Sequence, residues 1–250
     1  MIHKIQNREL KIIMKNEIIE LPIELQNKID KNFENMKKNG ANIWNGEVLC
    51  VSDCNIDDNS IEITCKKTDY AHYLYEERVG CAKEYECKNL SAGCLFETSD
   101  GYYVIGELDE KTSYPRMMQV PGGGIDKADI FGEKIEVENT IKRETKEEIN
   151  INLDDNDKIL ENKLSYIYIT NENEQPGVEI FQKVKLKMNS VELNEHFKEY
   201  YQYLKQNSLE LELRKLHFLK KENALEALNK LDNPKRDYLF PLIEADLKGE

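Results

Sequence analysis

Nothing in this 250-residue sequence approaches the roughly 18 to 20 consecutive apolar residues that a membrane-spanning helix requires. Residues 1–17 also lack the uninterrupted apolar run of a secretory signal, so the expectation is a cytoplasmic protein with no membrane partner. Metal-type cysteine and histidine spacings are missing too. None of the six cysteines (Cys50, Cys54, Cys65, Cys81, Cys87, Cys94) forms a Cys-x-x-Cys pair. The histidines (His3, His72, His196, His217) are scattered. A structural zinc site is therefore not expected, and the cysteines read as reduced, partly buried thiols. Positive charge is in short supply: 35 Lys+Arg face 48 Asp+Glu, a net charge of −13. An excess of that sign repels a phosphate backbone, which argues against general nucleic-acid binding. No Pro/Gly/Ser-rich linker and no internal repeat divides the chain. Its 40% hydrophobic content, 13 Tyr and 7 Phe separate it from a disordered acidic tail.

Apolar periodicity then supplies the elements. A short strand is expected at Leu10–Met14, and Pro22 opens an amphipathic helix that ends near Asn39-Gly40. Strands at 47–52 and 61–65 flank a turn-rich stretch, and a helix over 68–77 is capped by Thr68 or Asp69. From about Leu90 a hairpin turns at Asp100-Gly101, and a second hairpin pairs 164–170 with 178–186 through a polar connection. A helix near 191–205, a strand near 212–219 and helical segments at 222–231 and 234–247 complete the chain. This mixed, non-repeating order predicts an α+β fold or an α/β/α sandwich. The division expected is an N-terminal α+β region, 1–88, followed by a domain over 89–250.

The chemistry lies between the two hairpins. There Val120-Pro121-Gly122-Gly123-Gly124 precedes Arg143-Glu144-Thr145-Lys146-Glu147-Glu148. On the helix expected from Glu133 to Ile149, Glu144 stands three residues from Glu147 and four from Glu148, which brings all three carboxylates to one side. Like charges bunched in this way repel, and a hard divalent cation such as Mg²⁺ or Mn²⁺, which prefers oxygen ligands, would offset the repulsion. The adjoining glycines permit close backbone approach.

The stretch resembles the Nudix hydrolase signature, Gly-x5-Glu-x7-Arg-Glu-U-x-Glu-Glu-x-Gly-U, in which U is aliphatic. Arg143, Glu144, Glu147, Glu148 and Ile151 stand at its positions. The departures are a lengthened spacer, with Glu133 taken as the first acidic position and Glu136 as its competitor. Thr145 stands for the aliphatic residue and Asn150 for the final glycine. Thr68-Asp69-Tyr70, residues 91–101 and the Asn at the terminal Gly position are similar to the Nudix branch that hydrolyses UDP-glucose and UDP-galactose. The resemblance implies a Nudix α/β/α sandwich with a mixed sheet, preceded by a smaller β-rich α+β N-terminal region.

It further implies a pyrophosphohydrolase that cleaves a small-molecule nucleoside diphosphate derivative to a nucleoside monophosphate and, for a nucleotide sugar, a sugar phosphate. ADP-ribose, a dinucleotide or a coenzyme is the alternative substrate, and a catalytically inactive ligand-sensing or protein-binding module is the alternative role. Under the resemblance Glu144, Glu147, Glu148 and the Gly122 carbonyl hold Mg²⁺ or Mn²⁺. Glu148 is the first choice for the base and Arg143 orients the carboxylates. Glu179 and Glu212 are candidates for an additional base, Gly122, Gly123, Gly124 and Glu133 form the motif turn, and Tyr70, Tyr73 and Phe96 are candidates for stacking on a base or sugar.

Overall fold

The computed structural model describes residues 1–170 and 177–249. In chain order the elements are β1 (Ile2–Lys4), β2 (Glu9–Ile18), α1 (Ile23–Lys38), β3 (Glu47–Ile56), β4 (Ser60–Asp69) and α2 (Tyr70–Arg78). Then come β5 (Asn89–Glu97), β6 (Tyr102–Leu108), β7 (Met118–Gln119), β8 (Gly122–Gly124), β9 (Ile130–Phe131), β10 (Lys134–Ile135) and α3 (Val137–Ile149). Last are β11 (Ile159–Ile169), β12 (Gly177–Leu186), α4 (Ser190–Gln206), β13 (Leu213–Lys220), α5 (Ala224–Asn229) and α6 (Leu239–Lys248). The expected turn signals hold. Pro22 occupies the N-cap of α1, Asp69 caps α2 by accepting from the His72 N–H at 2.8 Å, and Gly101 takes φ +80° at the tip of the first hairpin. The residues joining the second hairpin, 171–176, lie outside the described residues.

β5 organises the sheet. It runs parallel to β12 along its whole length, and its other edge is shared by three antiparallel neighbours. β3 pairs at Asn89, the glycine strand β8 at Ser91–Gly93 and β6 at Phe96–Glu97. Gly93 faces Gly122 in this ladder, and a Cβ on Gly93 would meet the Val120 side chain at 2.9 Å. Glycines on both strands thus let β8 press against the middle of β5.

The alternation of side chains buries both faces of the sheet. On one face Ile167, Ile180 and Val184 pack with Ile141 and Ile149 of α3 and with Leu193 and Phe197 of α4. On the other Tyr166, Tyr168 and Phe181 pack with Leu239, Leu242 and Ile243 of α6. The result is a mixed sheet with helices on both sides, an α+β fold. The N-terminal strands continue it: β3 bridges to β5, β1 pairs β11 and β2 pairs β10. Ile12, Leu49 and Ile63 share one core with Leu90, Ile125 and Ile135. Helices α1 and α2 bury Ile29, Phe33, Ala71 and Leu74 in a separate cluster against Cys50 and Cys87. All six cysteines are free, and Cys50, Cys65, Cys87 and Cys94 are buried.

Two element expectations need correction. The segment expected to be helical from Pro234 begins its helix at Leu239. Before that, the Met118 N–H donates to the Pro234 carbonyl at 2.8 Å and the Arg236 N–H to the Met118 carbonyl at 2.9 Å, so strand-type pairing with β7 claims residues 234–236. The motif helix, expected to begin at Glu133, begins at Val137, because residues 130–135 form the small hairpin β9–β10. The Met14 N–H donates to the Glu133 carbonyl at 2.8 Å, which ties that hairpin to the edge of β2.

Candidate active site

Helix α3 is built to aim two carboxylates inward. Val137, Ile141 and Ile149 repeat on one side and enter the core, and the adjacent row Thr140, Glu144 and Glu148 is buried against β8 by the same rotation. Its C-terminus is sealed by Asn150 at φ 55°, ψ 37°, so Asn supplies the left-handed cap in place of glycine. Helix α4 braces α3 from outside: the Tyr200 hydroxyl donates to the Glu147 carbonyl at 2.8 Å, and His196 Nε2 lies 3.1 Å from the Asn150 carbonyl oxygen. Thr145, in the aliphatic position of the signature, is fully buried and bonds the Lys142 carbonyl at 3.2 Å.

The glycine strand meets this row directly. The Gly122 N–H donates to Glu148 Oε2 at 2.8 Å. A Cβ on Gly123 would fall 2.4 to 2.9 Å from the Glu144 carboxyl atoms, so the missing side chain at 123 is the space in which Glu144 sits. Glu212 arrives from the segment before β13, its carbonyl held by the Asp109 N–H at 2.7 Å. Among the described residues Glu144, Glu148 and Glu212 each offer a carboxylate oxygen, and these oxygens lie within 4.8 Å of one another. Glu148 Oε1 is buried and meets no hydrogen-bond donor.

The electrostatics follow from this crowding. Burial pushes the Glu144 carboxyl up to about 7; Arg143 opposes the rise, and Glu212 and Glu147 add to it. Glu148 is raised well above the usual carboxylate range by burial and then by Glu212 and Glu144. Glu212 is an exposed residue, and partial desolvation of its carboxyl together with its neighbours Glu210 and Glu147 raises it. Three carboxylates that resist ionising together, one of them with a buried and unpartnered oxygen, form a donor set suited to a hard divalent cation.

Arg143 organises the near edge. It donates to Glu144 Oε1 at 2.7 Å, to Glu147 Oε2 at 3.3 Å, to the Gly124 carbonyl at 3.1 Å and to Asp129 Oδ2 at 3.2 Å. Asp129 is 2% exposed and also accepts from Thr140 Oγ1 at 2.8 Å and the Asp126 N–H at 3.0 Å.

The sequence-derived residues therefore separate into groups. Glu144, Glu148, Gly122, Gly123 and Arg143 meet. Glu147, expected beside Glu144 and Glu148, instead leaves its side chain 57% exposed and outside the cluster, because its position on α3 faces solvent and Arg143. Glu212, expected only as a supplementary base, takes its place. Glu133 is exposed on the β9–β10 turn, and Asp129 takes its expected place beside Arg143, in addition to Glu144 and Glu147. The signal for Asp129 was in the sequence: five residues separate it from Gly123, the spacing of the signature, with Asp in place of Glu. Phe96 is fully buried and unavailable to a ligand, whereas Tyr70 and Tyr73 line the cleft.

That cleft, about 1090 Å³, runs from Gly123, Glu144 and Glu212 to Glu179, Arg236 and Tyr238, and its outer wall comes from residues 42–49. Glu179 sits across β5 from the glycine strand, in the row Glu179, Ser91, Gly124. Burial pushes it up to about 8, against the pull of Arg236 and with help from Asp237 and Glu77. Arg236 is bound to Glu77 at 2.9 Å and lies over the Tyr114 ring at 4.2 Å.

No protein-family model and no curated protein matches the chain. Among solved structures it is similar to Nudix-type proteins. One is a Nudix hydrolase from Nitrosomonas europaea: 13% identity over 64% of this chain and 89% of that one, TM-score 0.42. A MutT protein from Methanosarcina mazei shows 14% identity over 64% and 94%, TM-score 0.40. An Ap4A hydrolase from C. elegans shows 18% identity over 64% and 98%, TM-score 0.38. At these identities and TM-scores the likeness assigns neither a family nor an activity to this chain.

Proposed function

We propose that this protein is a divalent-metal-dependent pyrophosphohydrolase of Nudix type, acting on a nucleoside diphosphate linked to a second group, with a nucleotide sugar such as UDP-glucose as the first substrate to test. The observation that carries the reading is the convergence of Glu144, Glu148 and Glu212 beside a large cleft that Glu144 and Glu212 line, with Glu148 Oε1 buried and unpartnered. Glu144, Glu148 and Glu212 would hold Mg²⁺ or Mn²⁺, with the Gly122 carbonyl as a proposed further oxygen donor. The bound cation would supply positive charge to the diphosphate oxygens and make a coordinated water more acidic.

The chain's own groups do the rest. Asp129 and the Gly124 carbonyl fix the Arg143 guanidinium, and Arg143 in turn holds Glu144 in the space under Gly123. The Gly122 N–H fixes one oxygen of Glu148, leaving Oε1 to take the proton of the attacking water. The water oxygen forms its bond to one phosphorus as the bond from that phosphorus to the bridging oxygen breaks. The electron pair of the broken bond leaves with the departing phosphate. Glu147, exposed and paired with Arg143, tunes the orientation of Arg143.

The test is incubation with UDP-glucose and Mg²⁺ or Mn²⁺, with chromatographic detection of UMP and glucose phosphate. ADP-ribose, dinucleoside polyphosphates and coenzymes run alongside. Turnover of at least one member, abolished by chelator, is the expected result. No turnover of any of them overturns the reading.

A further inference from the structure

The chain has one tryptophan, Trp44, and its side chain is 76% exposed. A large apolar ring left open to solvent is unusual when neighbouring aromatics are covered. Here Tyr73 and Tyr238 are buried, Tyr114 lies beneath Arg236, and Tyr201 is engaged by Phe197 and Lys205. Trp44 lies on the segment between α1 and β3 and lines the same cleft as Glu144 and Glu212.

That segment is anchored at both ends. The Asn42 N–H donates to the Lys111 carbonyl at 3.3 Å, and Asn42 Nδ2 reaches Glu210 Oε1 at 3.4 Å, on the segment that carries Glu212. On the far side of Trp44, Asn45 Oδ1 accepts from the Ala71 N–H at 2.8 Å, and the Gly46 carbonyl accepts from the Tyr70 N–H at 2.9 Å. The indole rests on Gly46, where an added Cβ would fall 2.4 Å from two ring carbons. Residues 39–46 carry no charge, in a chain with 33% charged residues. A neutral, anchored platform with an open π-face suits a planar uncharged ring.

We infer that Trp44 is the nucleobase platform of the cleft, stacking on the base of a nucleoside diphosphate whose phosphates lie toward Glu144, Glu148 and Glu212. This rests on the proposed nucleoside diphosphate substrate. It makes the N-terminal region part of the binding site, with specificity contributed by a loop outside the signature.

Because Trp44 is the sole tryptophan, its emission in the full-length protein reports the contact directly. UMP, AMP, GMP and CMP would be titrated in Mg²⁺ buffer, with ribose 5-phosphate as the base-free control and equilibrium dialysis as an independent measure of binding. At least one nucleotide is expected to change the emission saturably, with the midpoint found by dialysis, and ribose 5-phosphate is expected to leave it unchanged. By dialysis, Trp44→Ala should weaken nucleotide binding about tenfold and Trp44→Phe by less than roughly threefold, the scale of one base stacked on an aromatic ring. Gly46→Ala, which displaces the indole, should fall between them. Binding in dialysis without an emission change, or equal affinity for Trp44→Ala, overturns this inference alone. An emission that responds to protein dilution and to no bound nucleotide places the indole at a contact between two copies and also overturns it. Failure of every nucleotide to bind overturns this inference, while the turnover assay decides the substrate reading separately.

Discussion

Glu148 is held at one oxygen by the Gly122 N–H and bare at the other, and that asymmetry is what the proposed general base requires. Glu148→Gln keeps the volume and removes the charge. Turnover of whichever substrate the assay identifies should fall by about 100-fold or more, the scale of a lost general base. Lys142 is the contrast, one position before Arg143: it pairs with Asp154 at 2.7 Å on the surface. Lys142→Ala should leave kcat within about twofold, since exposed pairs contribute little. Steady-state kinetics of the two variants side by side checks both, and equal activities would remove Glu148 from the mechanism. The carboxylate spacing of Glu144 and Glu148 was legible because helix geometry makes i and i+4 neighbours wherever the helix goes. The exposure of Glu147 was not. It depends on which side of α3 the sheet covers.

Among the elements, the glycine strand makes the sharpest distinction. Gly122 and Gly123 are adjacent, yet a methyl group would meet different things at the two positions. At Gly122 it would lie 2.4 Å from the Ala92 carbonyl oxygen and the Gly93 Cα, backbone atoms of the central strand that cannot yield cheaply. At Gly123 the nearest atoms it would meet are those of the Glu144 carboxyl group, the far end of a flexible side chain. Gly122→Ala should therefore cost about 1–3 kcal/mol of stability, as overpacking does. Gly123→Ala should keep nearly the parent Tm while losing activity and divalent-ion affinity, because Glu144 is pushed out of place. Thermal melts paired with calorimetric Mn²⁺ titration would read both, and a reversed pattern would contradict this account of β8. The glycine run and the helix were evident in the sequence as neighbours. Their antiparallel docking on β5, with Asp129 under Arg143, was hidden by the insertion that folds as the β9–β10 hairpin.

At the scale of the molecule, the C-terminal helix is fastened through a buried ionic network. Asp246 is 7% exposed and accepts from the Tyr103 hydroxyl at 2.5 Å and the Tyr166 hydroxyl at 3.1 Å, and Lys183 lies 2.6 Å away. Burial alone would raise the Asp246 pKa, but Lys183 and the two hydroxyls outweigh it and hold the group below the usual Asp value. A depressed folded-state pKa contributes stability above the unfolded-state value, near pH 4, that is lost as pH falls through the folded-state value. Asp246→Asn should cost about 3 kcal/mol at pH 7, the scale of a broken buried pair. The gap between variant and parent should close as pH falls through the folded-state pKa, which lies below the usual Asp value. Chemical denaturation across that range measures it, and a gap independent of pH would show that packing, not charge, fastens α6.

Taken alone, the sequence determined the placement of the longer strands and helices, the turns at Pro22, Asp69, Gly101 and Asn150, and the presence of Glu144, Glu148 and Arg143 on one helix beside a glycine run. Those properties follow from local sterics and periodicity, which act within a few residues. Only the tertiary structure decided that Glu212 and not Glu147 completes the carboxylate cluster, that Asp129 and not Glu133 fixes Arg143, and that Trp44 stands over the same cleft. Those outcomes depend on which surfaces the sheet covers. Glu212 is 64 positions from Glu148, a separation spanned by strand pairing and core burial, and no local spacing encodes it.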